Sequence, residues 1–313
     1  MSSIENDGSS LNAVRLYRAD GTPRPVGVIG YPVKHSLSPV FQNVAFEANN
    51  LPHRYEKWEV APAELPAFLE KARREDFLGL NVTLPHKRAV WEAVSARSQE
   101  AEATGAVNTL LLDEASGGWL GHNTDVGGFL ESLQALDFNP LKKRALVVGA
   151  GGAARGVVYA LASAGAVEIA VANRSWENAI ELVSQLGAIF PQTHMYATPL
   201  DPAAWPFNRN PRSLVVNATS QGILEPDKPF PIDPDAMAGR DADRHTVFYD
   251  LTYGDTPFLR TARDKAAYLV DGLGMLVYQG AEAFEWWTGL NAPRSAMLEA
   301  ARAALAAREA QQV

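Results

Sequence analysis

The amino-acid sequence contains no cysteine, and this absence excludes disulfide bonds, thiolate zinc sites and cysteine nucleophiles. Its six histidines are scattered, with no H-E-x-x-H motif or other pair at metal-ligand spacing, so no metal site is predicted. No stretch approaches the roughly 18 uninterrupted apolar residues of a membrane-spanning helix. The first residues, about twenty of them, also lack the apolar centre of a signal peptide. We therefore predict a cytoplasmic protein that does not associate with membranes.

Basic residues are scarce relative to acidic ones, since 28 Lys and Arg face 36 Asp and Glu and the net charge is −8. No run of Lys or Arg could follow a phosphate backbone, so nucleic acid is not an expected partner. Hydrophobic residues form 47% of the 313 residues. That fraction is typical of a globular protein, and the length is sufficient for two domains.

A strand, a tight turn and a helix start are predicted around residues 144–156. The apolar strand leads into Gly149, Gly151 and Ala154, which have the G-x-G-x-x-G/A spacing. Gly149 permits the tight turn, Gly151 lets a pyrophosphate approach the backbone, and Ala154 lets the helix pack closely on the strand. Backbone N–H groups at a helix start also favour bound anions. The pattern predicts a dinucleotide site, and a βα turn without a ligand is the alternative.

The end of the next predicted strand carries Asn173, Arg174 and Ser175, about 20 residues beyond the glycines, where an NAD-selective site has Asp or Glu. An arginine at this position accommodates the 2′-phosphate of NADP instead. The sequence has Arg174 and no acidic residue there, so we predict NADP as the cofactor.

Alternating strands and helices predict an α/β protein with two domains. The second domain has the pattern of a doubly wound parallel sheet of the Rossmann type. Residues 1–24 are polar and lack periodicity, which predicts a loose N-terminal extension. The predicted strands of the second domain are Ala145–Val148, Val167–Ala172, Ser213–Asn217, Thr246–Leu251 and Tyr268–Val270.

Polar side chains stand at the ends of predicted elements in the first domain. Ser36 and Ser38 precede a predicted helix over 40–49, where hydroxyls beside backbone donors suit a carboxylate. The alternative is that Ser38 only caps the helix, with Pro39 at its first position. Lys87 follows a predicted strand, a position where α/β proteins bind ligands, although most lysines are surface charges.

Two further positions combine polarity with apolar surroundings. Asn108 and Thr109 lie inside the apolar run AVNTLLL, and buried amides require partners. Either a hydrogen bond across the sheet or a substrate hydroxyl would supply one. Asp125 directly precedes a predicted helix over 126–136, and Thr124 or Asp125 could simply be its N-cap.

Nearly the whole chain, from about Pro25 to the last helix, resembles the shikimate dehydrogenase family. The resemblance is carried by these blocks in order: GYPVKHSLSP, GLNVTLPHK, TGAVNTL, GHNTDVGGF, VVGAGGAARG, ANRS, VNATSQG and DGLGMLVYQGAEAFEWW. It implies an NADP-linked, reversible reduction of 3-dehydroshikimate to shikimate in aromatic amino-acid biosynthesis. The cofactor would carry the hydride. The protein must therefore bind and orient the substrate and the cofactor, and it must supply or remove one proton.

The resemblance also implies roles for the polar residues of the first domain. Ser36 and Ser38 resemble the ligands of the substrate carboxylate, and Lys87 and Asp125 resemble the catalytic pair. Lys87 would stabilise the developing oxyanion and donate the proton, either as a true acid/base or mainly as an electrostatic group. Further residues match the groups that hold the ring hydroxyls and the carbonyl, or that line the cleft: Thr83, Asn108, Gln279 and Tyr253.

The same resemblance assigns the cofactor side and the domain bounds. Residues 25–125, completed by 275–313, are expected to form the substrate domain, and residues 126–274 the dinucleotide-binding domain, with hydride transfer in the cleft between them. Thr109 and Asn123 are expected to support the site. The family's cofactor-binding positions correspond to Gly149, Gly151, Gly152, Ala153, Asn173, Arg174, Ser175, Thr219, Gly272 and Met275.

Four departures from the usual family pattern touch this assignment: Gln42 in place of His, Ser175 in place of Thr, Ile223 in place of Met, and a short TYGDTPFL segment. Two alternatives therefore stay open. One is a quinate/shikimate dehydrogenase of broader specificity, and the other is a noncatalytic nucleotide- or shikimate-sensing protein. A monomer or a homodimer is expected in either case.

Overall fold

The computed structural model describes residues 16–94, 96–205, 212–221, 230–238, 246–263 and 268–312. The chain divides into two compact units. Unit 1 comprises residues 1–101, 107–124 and 279–313, and unit 2 comprises residues 102–106 and 125–278. Unit 1 is thus discontinuous in sequence, because the end of the chain belongs with its beginning.

The helices and strands within the described ranges are as follows. The strands are β1 (Val26–Gly30), β2 (Tyr55–Glu59), β3 (Gly79–Val82), β4 (Ala96–Arg97), β5 (Thr109–Leu112), β6 (Trp119–His122), β7 (Arg144–Val148), β8 (Glu168–Asn173), β9 (His194–Pro199), β10 (Leu214–Asn217), β11 (Val247–Asp250) and β12 (Tyr268–Val270). The helices are α1 (Ser38–Ala48), α2 (Leu65–Arg74), α3 (Lys87–Ala93), α4 (Gln99–Thr104), α5 (Asp125–Gln134), α6 (Gly152–Ser163), α7 (Trp176–Ile189), α8 (Pro234–Ala238), α9 (Pro257–Ala262), α10 (Leu273–Thr288) and α11 (Arg294–Gln312). None of these helices is both long enough and apolar enough to cross a lipid bilayer.

Unit 1 is built on a mixed sheet with the strand order β2-β1-β3-β5-β6-β4. Strands β2 and β3 are parallel to β1, whereas β5 is antiparallel to both β3 and β6. All residues of β1 and β3 are buried, which is the pattern of strands covered on both faces.

One face of this sheet is covered by helix α10 at very short range. Gly79 lies beneath Trp287, whose indole nitrogen donates a hydrogen bond to the Leu110 carbonyl at 2.9 Å. A methyl group at Gly79 would come within 2.1 Å of that nitrogen. Phe284 of the same helix meets Phe46 edge-on, with 5.1 Å between the ring centroids. A glycine in β3 therefore permits the C-terminal part of the chain to complete the core of unit 1.

Unit 2 is a parallel sheet with the order β12-β11-β10-β7-β8-β9. The order reverses between β7 and β10, which is the switch point at which doubly wound sheets bind ligands. Separate apolar clusters cover the two faces, one around Val147, Val157 and Tyr249 and the other around Leu146, Phe248 and Phe258. The predicted fold class, an α/β protein with two domains of which the second contains a doubly wound sheet of the Rossmann type, is confirmed.

The structure corrects the prediction for part of the N-terminal extension. Leu16 is buried, and its carbonyl accepts a hydrogen bond from His53 at 2.8 Å. Arg24 is also buried and forms salt bridges with Asp76 and Glu114. Leu16 and Arg24 are therefore packed rather than loose, whereas residues 19–22 between them are exposed. The local pattern does not reveal this packing, because the partners lie far along the chain. Residues 1–15 lie outside the described ranges.

We expect Gly79→Ala to lower the free energy of unfolding by about 1–3 kcal/mol, because the added methyl group overpacks the Trp287 contact. Chemical denaturation measures this change. The matched control is Gly187→Ala in α7, where no described atom lies within 4 Å of the added methyl group. That substitution should raise the free energy by roughly 0.5–1 kcal/mol through helix propensity. Equal effects of the two substitutions would contradict the packing argument.

Candidate functional site

The candidate residues of unit 1 cluster at one edge of its sheet. Strands β1 and β3 are parallel and therefore end at the same edge, and the antiparallel β5 begins there with its residues opposite β3. The loop after β1 is held against the loop after β3, since Tyr31 N–H donates to the Leu84 carbonyl at 2.9 Å. A methyl group at Gly30 would come within 2.4 Å of the Thr83 side chain. The topology thus brings Ser36, Thr83 and Asn108 to the same edge.

Ser36 and Ser38 lie at the start of α1. The Ser36 hydroxyl donates to Ser38 Oγ at 3.1 Å and accepts from the Ser38 N–H at 3.2 Å. The helix begins at Ser38 itself, and its N-cap position is Leu37, which makes no side-chain cap. The alternative that Ser38 only caps the helix is therefore wrong. Two adjacent hydroxyls at a helix start favour an anionic group.

Lys87 is the first residue of α3, a helix that the sequence analysis did not predict. Its carbonyl accepts the N–H of Val107 at 3.0 Å, which places its backbone beside the residue that precedes Asn108. The preceding residue, His86, is buried and hydrogen-bonded through Nε2 to the Val60 carbonyl at 2.7 Å. These contacts anchor the start of α3, from which the lysine side chain projects, and the lysine is half-buried.

Asn108 is the centre of a buried polar network. Its Oδ1 accepts from the Thr124 N–H at 2.8 Å and from the Thr109 hydroxyl at 2.9 Å. Its Nδ2 donates to Gln279 Oε1 at 3.4 Å, and the Thr124 hydroxyl donates to the same Gln279 oxygen at 3.3 Å. Residues far apart in sequence, 108, 124 and 279, are thereby joined within unit 1. One of the two partners expected for Asn108 was a hydrogen bond across the sheet. The contact with the Thr124 N–H, which follows the neighbouring strand β6, is such a bond.

Asp125 follows Thr124 directly and is the first residue of α5, where its side chain is buried. A carboxylate in the first turn of a helix is stabilised by the N-terminal end of the helix dipole. The two residues of the expected catalytic pair belong to different units, Lys87 to unit 1 and Asp125 to unit 2.

The two glycines of the turn in unit 2, Gly149 and Gly151, differ in what requires glycine at each position. Gly149 has φ +115°, and a methyl group there would lie 2.9 Å from the Ala218 carbonyl oxygen. Backbone conformation and close packing thus both require glycine at this position. No described atom lies within 4 Å of a methyl group at Gly151, so protein packing does not require glycine there. Gly152 and Ala153 begin α6, whose N-terminal N–H groups border this open space.

The residues expected at an adenosine 2′-phosphate lie at the same sheet edge. β8 neighbours β7 in parallel register and ends at Asn173. The Asn173 side chain donates to the Ser175 carbonyl at 2.8 Å, which shapes the turn that exposes Arg174. Ser175 stands at the N-cap position of α7 without a side-chain capping bond. An exposed guanidinium beside a helix start is a suitable place for a phosphate.

Sequence reasoning missed the two residues that organise the neighbouring loops of unit 2. Asn217 accepts from the Thr219 hydroxyl at 2.7 Å and donates to the buried Asp250 at 3.1 Å. Asp250 also accepts from the Thr252 N–H at 2.9 Å and from the Thr256 hydroxyl at 2.6 Å. Burial raises the pKa of Asp250, and the hydrogen bonds from Thr256, Thr252 and Asn217 oppose that shift. Both residues end buried strands, and that position was the available signal.

The remaining cofactor candidates, Gly272 and Met275, lie at the start of α10. A methyl group at Gly272 would come within 2.0 Å of the Leu251 carbonyl oxygen, so the segment before α10 passes directly beside the end of β11. Tyr253 lies in the loop between β11 and α9. This loop is held to the segment before α10, because Asp271 accepts a hydrogen bond from the Gly254 N–H at 2.8 Å. Met275 is buried in the first turn of α10. Among the unusual residues, Ile223 lies outside the described ranges.

The structure contains no group of three or more His, Asp or Glu side chains placed to hold a metal ion within the described part of the chain. Polar groups instead gather at two places, the edge of unit 1 around Asn108 and the glycine turn of unit 2. The combination of a doubly wound sheet, a glycine turn and a separate polar site defines the class of dinucleotide-dependent α/β enzymes.

Comparison with known proteins identifies the family. Three family models match: the shikimate dehydrogenase substrate binding domain over residues 28–110, shikimate / quinate 5-dehydrogenase over 132–200, and the shikimate 5'-dehydrogenase C-terminal domain over 272–302. The NADP(+) shikimate dehydrogenase of Moorella thermoacetica is 40% identical over 285 residues, which cover 90% of this chain and 94% of that protein. The chain belongs to the shikimate dehydrogenase family.

Solved structures show the same fold. Shikimate 5-dehydrogenase from Thermus thermophilus, in complex with NADP(H) and shikimate, has a TM-score of 0.76 and 39% identity, covering 90% of this chain and 99% of that one. The ligand-free 5-ketofructose reductase of a Gluconobacter strain has a TM-score of 0.76 and 29% identity, covering 89% and 98%. The fold is therefore shared by reductases that act on different substrates, and the site residues decide between them.

We expect Gly149→Ala to lower the free energy of unfolding by about 2 kcal/mol or more, because alanine is strained at this positive φ and clashes with Ala218. Gly151→Ala should change the free energy by less than about 1 kcal/mol, since its backbone is ordinary and its surroundings are open. Urea unfolding of the two variants measures both effects. A larger loss for Gly151→Ala than for Gly149→Ala would contradict the separation of their roles.

Proposed function

We propose that this protein catalyses the NADP-dependent, reversible reduction of 3-dehydroshikimate to shikimate in aromatic amino-acid biosynthesis. The observation that carries the proposal is the buried network joining Asn108, Thr124 and Gln279 at the sheet edge where Ser36 and Ser38 also lie. This edge offers hydroxyls at a helix start for a carboxylate and amides for ring hydroxyls. Family membership adds that a relative with 40% identity over most of its length is an NADP(+) shikimate dehydrogenase.

The substrate is held by unit 1 in this proposal. Ser36 and Ser38 bind the carboxylate, because their hydroxyls can donate where the α1 dipole also favours negative charge. Asn108 and Gln279, together with Thr83, bind the ring hydroxyls and the carbonyl oxygen. Buried, mutually hydrogen-bonded amides recognise hydroxyl groups selectively, since a ligand that lacks the hydroxyl leaves them unpaired. Tyr253 is the remaining residue that the family resemblance assigns to the substrate.

Lys87 manages the charge and the proton in the proposed reaction. When hydride reaches the ketone carbon, negative charge develops on its oxygen, and an ammonium group stabilises that charge and donates the proton. The half-buried position of Lys87 suits a group that must reach a bound substrate. Asp125 accepts a hydrogen bond from the lysine or from the adjacent substrate hydroxyl and so maintains the geometry. In the oxidative direction the same lysine accepts the proton.

NADP is the proposed cofactor, and it supplies or accepts the hydride when bound. The open space at Gly151 fits a pyrophosphate, with N–H donors from Gly152, Ala153 and the rest of the first turn of α6. The exposed Arg174 between Asn173 and Ser175 fits a 2′-phosphate. Gly149 belongs with Gly151 at the pyrophosphate. The residues near the ribose and the nicotinamide are Thr219, Gly272 and Met275. We further propose that the protein is cytoplasmic and acts as a monomer or a homodimer.

Initial rates with shikimate and quinate, each with NADP and NAD, test the proposal. We expect turnover with shikimate and NADP to exceed that of the other three pairs by at least roughly tenfold, the effect of about 1.4 kcal/mol in transition-state binding. Comparable turnover of quinate with NAD would favour a quinate/shikimate dehydrogenase. Binding of NADP without turnover of either substrate would favour a noncatalytic binding protein, although Lys87 and Asp125 are both present.

Lys87→Ala should reduce kcat by about 10²–10⁴-fold, which is the usual range for a general acid/base. Folding and NADP binding should be preserved, because the Lys87 backbone contact to Val107 does not involve the side chain. Lys71→Ala is the matched control, since Lys71 is exposed on α2 beside Glu75 and should leave kcat unchanged. Normal turnover by Lys87→Ala would contradict the proposed role of this residue.

A further inference from the structure

A tight turn in front of α1 carries Ser36, one of the two serines assigned to the substrate carboxylate. The Ser36 N–H donates to the Val33 carbonyl at 3.0 Å, which closes a β-turn with Lys34 and His35 at its centre. Val33 is buried at one end of the turn, and Leu37 is buried just beyond the other. The two central residues are exposed, so apolar packing does not fix them.

The Lys34 carbonyl is held by a charged side chain of strand β2. Lys57 donates through Nζ to this carbonyl at 2.6 Å. Two residues further along the same face of the strand, Glu59 accepts the Val33 N–H at 3.4 Å and lies 3.7 Å from the Lys34 ammonium. The peptide group between Lys34 and His35 points in different directions in the two common types of β-turn. Lys57 therefore favours one of these directions.

The His35 carbonyl is held by a charged side chain from the far end of the sequence. Arg308, near the end of α11, donates through Nη1 to this carbonyl at 2.6 Å. Both residues belong to unit 1. The His35 carbonyl and the Ser36 N–H are parts of one planar peptide group. Because Arg308 holds the oxygen and the Val33 carbonyl holds the N–H, this peptide group is fixed at both edges.

The packing of α11 explains why Arg308 reaches this turn. Met297 and Ala301 on the inner face of the helix are fully buried, and Arg308 follows Ala301 by two helical turns on that face. The helix packs along α1 in the antiparallel direction, since the Asn49 side chain at the end of α1 donates to the Asn291 carbonyl, just before α11, at 3.5 Å. The end of α11 consequently lies beside the turn that precedes α1.

The start of α11 is fixed independently of this contact. Arg294, its first residue, donates two hydrogen bonds to the Glu285 carboxylate of α10, at 2.6 and 3.0 Å. The same carboxylate accepts the Ala292 N–H at 3.0 Å. The helix is therefore anchored at its start and along its buried face, which places Arg308 within reach of the His35 carbonyl.

We propose that Lys57 and Arg308 are positioning residues for the substrate carboxylate, because they hold the two outward carbonyls of the turn that carries Ser36. The inference rests on the proposed function, since it takes Ser36 as a carboxylate ligand. The direction of the Ser36 side chain depends on the peptide group that precedes it, and its hydroxyl is bonded to Ser38 Oγ at 3.1 Å. A turn that is fixed beforehand loses less conformational entropy when the carboxylate binds. In this role neither cation contacts the reacting atoms.

Steady-state kinetics of the full-length Arg308→Ala variant test this role. We expect the KM for shikimate to rise about fivefold, which is the effect of roughly one hydrogen bond. The kcat should change by less than about twofold, because the lost binding is shared by the ground state and the transition state. The KM for NADP should not change. Arg308→Lys should recover most of the loss, since lysine keeps a cationic donor.

Three further variants make the result decisive. Arg302→Ala is the matched control, because Arg302 is exposed on another face of α11, and it should leave the KM for shikimate unchanged. Lys57→Ala removes the other cation and should reproduce the rise in KM. If Arg308→Ala does not fold, the Lys57→Ala kinetics decide the question. In a Ser36→Ala background, Arg308→Ala should raise the KM by less than about 1.5-fold further, because residues that act through one another are not additive.

An unchanged KM for shikimate in Arg308→Ala would overturn the positioning role. A full rise in the Ser36→Ala background would also overturn it, since that result indicates direct attraction between the cation and the carboxylate. Equal increases in the KM for shikimate and for NADP would likewise overturn it, because they indicate a general structural effect. Wild-type protein is assayed in parallel. Failure of the wild type to turn over shikimate contradicts the proposed function, whereas normal wild-type turnover with unaltered variants contradicts only the roles of Lys57 and Arg308.

Discussion

The hydrogen bond from the Thr124 backbone to Asn108 Oδ1, 2.8 Å long, is the contact on which the polar organisation of unit 1 depends. A side-chain amide can be turned either way by weak partners, but a backbone N–H has no alternative role. The Asn108 amide nitrogen then donates to Gln279, and the Thr109 hydroxyl donates to Asn108 Oδ1. The Asn81 amide nitrogen donates to the Thr109 hydroxyl and to the Asn108 backbone carbonyl. The network is buried, where an unpaired polar group is costly, so the alternative orientations are disfavoured together. Asp125 directly follows Thr124 in the sequence. The oriented polar residues of unit 1 therefore extend up to the point where the chain enters unit 2.

In unit 2 a buried carboxylate, that of Asp250, orients its neighbours through hydrogen bonds in a similar way. Asp250 is buried, and its carboxylate is held by donors from Asn217, Thr252 and Thr256. Burial opposes ionisation while these donors favour it, and their combined effect is to fix the loops that follow β10 and β11. Those loops carry Thr219 and Tyr253. In both units, buried residues thus orient the residues that contact a ligand in the proposed function. The buried residues are themselves fixed, because each must satisfy its own hydrogen bonds.

Much of the fold could be predicted because local patterns determine it. Buried strands such as Val26–Gly30 and the turn at Gly149 are recognisable from apolar runs and glycine spacing. Strand β9 was missed because its residues are mostly half-buried and do not alternate clearly. The hydrogen bonds from Tyr55 to Asn81 and from Asn81 to Thr109 could not be predicted, since they depend on the pairing of β2, β1, β3 and β5 across the sheet. The packing of Arg24 was missed for a related reason, because its partners lie 52 and 90 residues away in the sequence.

The close contact between Gly79 and Trp287 has a consequence for the order in which the protein can assemble during synthesis. Chains emerge from the ribosome N-terminal end first, and domains fold as units. Most of unit 2 is contiguous, and its sheet is complete before the last helices are made. Unit 1 has its strands early but must wait for residues 279–312 to cover Gly79, to pair the Leu110 carbonyl and to supply Gln279. The unit that begins the chain is therefore the unit that finishes folding last, with an apolar sheet face exposed until the final helices arrive.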